Sequence, residues 1–454
     1  MFERSANRNG SNGNNVGCVN TSGNVDNNNA NNGLYVAPDC ACSEQKGNHT
    51  VITPRGGDTR SRHPSGAYRK LNPGDGSGPT ADMPASAGET GPQCVIGFDA
   101  LWASMEKCKR GVIWKDSVAH FVLNGSEEVA KLSEELSTGT YKPRAAKRFA
   151  ITSPKPRTIV CISFRDRVFQ RSLVDNAVYP AMSKSWIYDN AACQKGKGTD
   201  FARARLKEHL RRAYMESGEV LYALLVDVAG YYPNMRHDVA KECFRRRLPP
   251  WSYTMVERIL DEQYPGDVGF DPGSQLIQIA GISVLDGIDH MVKERLGARH
   301  YVRYMDDMVV ISHDKQWLLA VLAGIESGLA DLGFETNRKK TRIVSARDGI
   351  PYLGFTFRLS QSGRVTMRVK KSNLRAAKRR MRRFAGLVKR GLRSRQEADA
   401  GYACYRAHVA KGDSCGLVRS LDKWYEGLWD EEKGGCSESH RTCGPLRPQD
   451  HRTA

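Results

Sequence analysis

The segment HYVRYMDDMVVIS, residues 300–312, decides how this chain is read. It reads as a hairpin, with Asp306 and Asp307 near the turn and the apolar run MVVIS leading away from it. Upstream, VLYALLVDVAG at 220–230 reads as a buried strand that delivers Asp227 at its end. An unpaired carboxylate in such a place would be costly to bury. Asp306 and Asp307 follow Asp227 by 79 and 80 residues, so two strands laid side by side would bring three carboxylates to one sheet edge. Two plainer readings stand beside this one. Adjacent aspartates are common in turns, and Asp227 alone could cap a helix that follows the bend.

Working outward, LWASMEKCKRG, VAHFVLNG and SEEVAKLSEELSTG (101–139) carry helical patterns, the last ending in a glycine stop. FAITSPKPRTIVCISF (149–164) reads as two short strands around a proline-containing turn. Helical patterns return at 165–179, 201–216 and 237–248, and one helix is predicted across SQLIQIAGISVLDGIDHMVKERLG (274–297). A helix at 315–332 and strands at TRIV (341–344) and YLGFTFRL (352–359) complete an α+β layer structure. Between Arg368 and Arg395 there are 13 Lys or Arg and no Asp or Glu. Leu374, Ala377, Met381, Phe384 and Val388 recur there at helical spacing, giving an apolar stripe under a basic face.

The remaining chain differs in kind. Residues 1–50 hold 13 asparagines and few large apolar side chains, and 51–92 continue in Gly, Pro, Ser and Thr. Such segments cannot bury enough surface to fold unaided. The expected organisation is therefore a low-complexity segment at 1–92, a catalytic region at 93–365, a basic helical region at 366–430 and a disordered tail at 431–454. The formal charge is +19, from 69 Lys and Arg against 50 Asp and Glu, which favours a polyanionic partner without distinguishing RNA, DNA or an anionic membrane. No run of 18 apolar residues exists, so a spanning helix is not expected, and no membrane is expected among the partners. The 12 cysteines lack zinc-site spacing, and thiols left free suit a reducing cytoplasm. No GxxxxGK[ST] phosphate loop is present, so ATP hydrolysis has no support.

Carboxylates grouped at a sheet edge are hard oxygen donors, which suit Mg²⁺ better than zinc. Two such ions could activate a 3′-hydroxyl and stabilise a departing pyrophosphate. Here the blocks become specific. YVRYMDDMVVIS resembles the Tyr-x-Asp-Asp block of reverse transcriptases, and LVDVAGYYPNM resembles their first carboxylate block. DPGSQLIQIAG, TNRKKTRIV with YLGFTF, and PKPRTIVCISFRDRVFQRSL resemble further blocks of that family, in order. The similarity covers roughly 98–430. It implies a right-hand polymerase fold, with fingers, a palm whose antiparallel sheet packs on helices, and a short helical thumb in the basic region.

The resemblance also implies roles. Asp227, Asp306 and Asp307 would bind two Mg²⁺ ions, with Mn²⁺ as a substitute, and Asp307 could contribute mainly to metal entry. Lys340, with Lys339 as its adjacent rival, would assist pyrophosphate departure. Arg157 and, less directly, Lys155 would contact the triphosphate of an incoming deoxynucleotide, since a guanidinium can engage two phosphate oxygens. An ordinary turn arginine is the other reading of Arg157. Tyr232 would sit beneath the sugar and exclude a 2′-hydroxyl, or else be one more packed aromatic beside Tyr231. Gln275 and Gln278 would lie beneath the templating base, although Ile277 stands where this branch commonly has serine. The basic helix would grip a template RNA and primer, or an RNA–DNA duplex, by its phosphates, unless it is only a solvated face. His408, in YRAHVAKGDSCGLVRSLDKWY, is expected to be structural.

Little room is expected for a maturase, an endonuclease or an RNase H domain. The stretch SGNVDNNNANNGLYVAPDC (22–40) resembles the asparagine-rich end of targets found with diversity-generating retroelements. Those systems misincorporate opposite template adenine, and asparagine codons are adenine-rich. An accessory retroelement protein is then an expected partner. A group II intron-like or defence-associated enzyme, and a polymerase-derived RNA-binding protein without activity, remain alternatives.

Overall fold

A computed structural model describes residues 91–151 and 156–430. The readings made for 1–90 and 431–454 lie outside the described residues. What is described falls into two compact units, one through Met367 and one from Arg368.

The first unit is a mixed α+β fold whose central sheet is flanked by helices. β1 (Lys147–Ile151) and β2 (Arg157–Cys161) pair antiparallel, with Ile151 opposite Arg157. β3 (Tyr222–Asp227), β4 (Tyr301–Tyr304), β5 (Asp307–Ser312) and β6 (Arg342–Ser345) form one sheet in the order β4-β5-β3-β6. Every pairing in it is antiparallel. β7 (Ile350–Tyr352), β8 (Phe355–Leu359) and β9 (Val365–Val369) form a third sheet.

β3 is central because it is apolar on both sides. Ala223, Leu224, Leu225 and Val226 are all buried, and since alternate residues face opposite ways both faces of the strand are covered. The helices Thr199–Ser217 and Lys315–Asp331 pack against this sheet. The first ends on Gly218, whose φ of 66° suits the left-handed cap that glycine allows. The second is capped by Asp314, whose carboxylate accepts from Gln316 N and Trp317 N.

YLGFTFRL, read as one strand, is divided between β7 and β8, β9 was not foreseen, and two helical regions also depart from the sequence reading. The single helix expected over 274–297 is broken into Gln275–Ser283, Asp286–His290 and a wider turn over Met291–Arg295. The cause is tertiary. Tyr231 Oη donates to the Gly281 carbonyl at 2.7 Å and Arg303 Nη2 donates to the Ile282 carbonyl at 2.9 Å. Both carbonyls are thus taken by side chains from elsewhere, and a helix whose ladder is entered in this way bends. The second departure is the helix Pro250–Gln263, which the sequence reading left out. Pro250 in its first turn and the buried Ser252, Val256, Ile259, Leu260 and Gln263 carry the signal that was there to find.

Arg303 is the largest fully buried side chain in the unit. Its Nε and Nη2 bind the buried Asp289 carboxylate at 2.7 and 2.5 Å, and its Nη1 donates to the Met305 carbonyl at 2.9 Å. Tyr301 Oη adds a bond to Asp289 at 2.7 Å. This network ties β4 and the turn that follows it to the broken helix.

The second unit consists of the helices Lys371–Lys389, Arg395–Ala410 and Cys415–Glu426, packed in sequence. On the first, Ala377, Met381 and Ala385 are buried, Leu374, Phe384 and Val388 are half-buried, and Arg375, Arg379, Arg382 and Arg383 are exposed. A capping box between Ser394 and Glu397 starts the second. Tyr402 and Tyr425 stack at 3.9 Å where the second and third helices meet. No helix among the described residues is long and apolar enough to cross a membrane.

The Arg303 network yields a stability prediction. Arg303→Met strands a buried carboxylate, and the expected loss is about 3–5 kcal/mol. It should register as a lower urea midpoint at unchanged slope. Arg303→Met with Asp289→Leu should recover part of that loss, because no charge is then left unpaired. A single variant as stable as wild type would show that water reaches Asp289.

Candidate active site

The carboxylates come together because β3 ends where β5 begins. Asp227 and Asp307 are directly opposite in the antiparallel register, and Tyr304 opposes Asp307 on the other side. Met305 and Asp306 therefore form the tight turn between β4 and β5. Met305 is fully buried and takes a φ of 54°, a left-handed conformation that costs a non-glycine residue energy. The Arg303 bond to its carbonyl helps hold it there.

Asp227 is 7% exposed. Lys340 Nζ reaches both of its oxygens, at 2.6 and 2.9 Å. The backbone brings Lys340 into place: Ala229 N donates to Glu335 O at 2.8 Å, and Asn337 N donates to Asp227 O at 2.7 Å. Lys340 N and Thr341 N then turn back onto Asn337 O, and Asp227 N donates to Thr341 Oγ1. Lys340, rather than its neighbour Lys339, is thus the lysine that meets Asp227.

The electrostatics follow from this crowding. Burial, and next the negative charge of Asp227, push the Asp306 carboxyl up to about 6. Burial works against the charge on Lys340, but its hydrogen bonding to Asp227 and the negative charges of Asp227, Asp307 and Asp306 together outweigh that and raise its pKa. The negative charge gathered here leaves a place short of positive charge, and the lysine supplies part of it.

Of the other expected residues, Tyr232 lies half-buried beside Tyr231, with ring centroids 5.5 Å apart. Its hydroxyl is buried and has no hydrogen-bond partner among the described residues. Gln275 opens the helix Gln275–Ser283 after its Ser274 cap, and Gln278 lies one turn on; both are half-buried. Ile277 is buried, so the side chain that replaces the expected serine packs in the core. Arg157 opens β2. Lys155 lies outside the described residues. His408 is in the helix Arg395–Ala410, its ring 6.3 Å from that of Tyr405. The sequence reading missed Arg303, Asp289 and Gly281, although an arginine inside the apolar YVRY strand was a visible signal for the first.

Residues 146–357 match the family model described as reverse transcriptase (RNA-dependent DNA polymerase). They form a reverse-transcriptase domain. Asp227, Asp306, Asp307, Lys340 and Tyr232 all lie inside that domain, and the three-helix unit lies beyond it. No curated protein matches the chain. Two telomerases are among the solved structures that resemble it. Apo telomerase from Candida tropicalis, truncated from its C-terminal domain, is 13% identical with a TM-score of 0.38, over 50% of this chain and 56% of that one. Telomerase from Candida albicans, in complex with a TWJ fragment of telomeric RNA, is 12% identical with a TM-score of 0.40, over 63% of this chain and 54% of that one. The chain spans about half the length of these structures.

Among the described residues, no group of three or more His, Cys, Asp and Glu is placed to hold a metal ion. The donor chemistry of Asp227 and Asp306 nonetheless suits Mg²⁺, which is commonly held by one or two carboxylates together with water and substrate phosphates. In Lys340→Met the reverse-transcriptase domain loses the ammonium that offsets these carboxylates. Millimolar Mg²⁺ should then raise its melting temperature by more than it raises that of wild type, as read by scanning fluorimetry. Equal shifts in the two proteins would show that Lys340 does not neutralise the pair.

Proposed function

We propose that this protein is an RNA-directed DNA polymerase that adds deoxynucleotides to a primer 3′ end by two-metal phosphoryl transfer. One observation carries the reading: within a reverse-transcriptase domain, Asp227 and the Asp306–Asp307 pair converge at one end of a sheet. In this reading the β4-β5-β3-β6 sheet is the palm, the β1–β2 hairpin belongs to the fingers and the three-helix unit is the thumb.

Asp227 and Asp306 would hold the ions, with Asp307 completing the carboxylate group. Bound there, Mg²⁺ would supply Lewis acidity toward the 3′-hydroxyl and the leaving pyrophosphate. The chain's own residues do the rest. Lys340, freed from Asp227, donates a proton from Nζ to a pyrophosphate oxygen as it departs. Arg157, with Lys155, engages the triphosphate, Gln275 and Gln278 support the templating base, and the Tyr232 ring excludes a 2′-hydroxyl. The exposed arginines of Lys371–Lys389 hold the template–primer backbone through its phosphates. The protein acts in the cytoplasm.

The narrower reading is a diversity-generating enzyme that copies a retroelement RNA with errors at template adenines, aided by an accessory protein. The asparagine-rich 1–50 segment, whose codons are rich in adenine, supports it.

Primer extension on RNA with Mg²⁺ and deoxynucleotides tests the polymerase. Asp306→Asn should lower the rate by more than about a hundredfold, as expected when a transition-state contact is lost. Duplex binding should stay comparable to wild type. Extension untouched by Asp306→Asn would rule out the catalytic assignment, and binding without any product from wild type would favour an inactive RNA-binding relative. Deep sequencing of complementary DNA made with the native neighbouring proteins tests the narrower reading. Substitutions concentrated at adenines support it, whereas accurate copying favours a group II intron-like or defence-associated enzyme.

A further inference from the structure

Gly281 lies inside the helix Gln275–Ser283, although glycine is the poorest helix former apart from proline. It is buried, so exposure to solvent does not account for it. Two consecutive tyrosines from the segment after β3 meet it. Tyr231 Oη donates to its carbonyl at 2.7 Å. A Cβ placed on Gly281 would lie 2.7 Å from Tyr232 Oη, 3.1 Å from Cζ and 3.2 Å from Cε1. Because the Tyr232 hydroxyl has no hydrogen-bond partner among the described residues, packing fixes this ring there, and Gly281 is the surface on which its far end rests.

We propose that Gly281 is a positioning residue for nucleotide selection, its missing side chain setting how far the Tyr232 ring withdraws from the incoming sugar. The proposal rests on the reading of Tyr232 as the residue that excludes a 2′-hydroxyl. With a methyl group at 281 the contacts fall inside van der Waals distance, and something must yield. The nearest atom is the end of a flexible side chain, whereas Gly281 is held in a helix and by Tyr231. The ring therefore yields, moving off the helix and into the space of the sugar. Deoxynucleotide binding weakens, while the carboxylates on the neighbouring strands stay where they are.

Single-nucleotide incorporation by the full chain tests this with Gly281→Ala, Tyr232→Phe and the two combined. Gly281→Ala should raise KM for deoxynucleotides about tenfold and change kcat by less than about threefold, the pattern of lost ground-state binding. Tyr232→Phe removes the atom at 2.7 Å, so the combined variant should recover most of that KM increase, with a coupling between the two changes of about tenfold. Independent, additive effects would overturn the role of Gly281, as would a Gly281→Ala defect confined to kcat. Thermal melting of each variant checks folding; should Gly281→Ala alone fail to fold, a combined variant that stays unfolded or keeps a raised KM also overturns the proposal. Tyr232→Ala separates the two layers. An unchanged preference for deoxynucleotides in that variant sinks the reading of Tyr232 and the proposal with it. An altered preference combined with no rescue sinks the role of Gly281 alone.

Discussion

A guanidinium with no access to water must find acceptors for its donors inside the protein, and Arg303 finds them on three different segments. Asp289 takes two of its bonds, the Met305 carbonyl takes one and the Ile282 carbonyl another. Each of those groups is then fixed relative to β4, which carries the arginine. A buried ion pair of this kind is weak evidence for stability, because the desolvation of both charges offsets much of their attraction. What it supplies here is geometry. The Met305 turn sits in an unfavourable backbone region, and a turn of that kind persists only where its surroundings determine it. Moving it by one residue would carry Asp306 away from Asp227.

The same reasoning extends to the charges. β3 and β5 are apolar along their length, so the carboxylates at their ends face a poorly solvated environment and each other. The segment from Glu335 to Thr341 answers this by pairing its backbone with the end of β3, which presents Lys340 to both oxygens of Asp227. The positive charge on this site is local: Lys340 meets Asp227, and the buried Arg303 also acts on Asp306. The larger positive surface lies on the three-helix unit, where arginines and lysines line the exposed face of a helix without an acidic residue. The basic surface and the carboxylate group thus lie in different parts of the chain.

Much of the reverse-transcriptase domain was legible in the sequence because its decisive strands are buried on both faces and therefore read as unbroken apolar runs. VLYALLVD and MVVIS could hardly be anything else, and each adjoins an aspartate. The basic helix was equally plain from its spacing. What stayed hidden depended on partners distant along the chain. The helix from Gln275 breaks because Tyr231 and Arg303 bind two of its carbonyls, and neither residue lies in the helical pattern itself. Lys340 was preferred to Lys339 only through the family block, and the turn on Asn337 O shows physically why it is the one that meets Asp227. The Asp289–Arg303 pair could not be read from either residue alone, since an aspartate amid DGIDH looks like an ordinary exposed position.

The break in the helix and the glycine within it are parts of one arrangement. A glycine in a helix interior costs about 1 kcal/mol relative to alanine, and carbonyls diverted from the helical ladder cost more unless another donor replaces the lost bond. Both departures fall at Gly281 and Ile282, where Tyr231 and Arg303 supply those donors. A side chain at 281 would strike Tyr232, and Tyr231 binds the carbonyl of the same residue. Local helix stability is therefore lower here than the sequence could have made it. The return is that both tyrosines following the β3 carboxylate are seated on a helix, and the aspartate turn is tied through Arg303 to that helix. Residues that converge from β3, from the β4–β5 turn and from 275–283 are consequently held against one another by the same few hydrogen bonds.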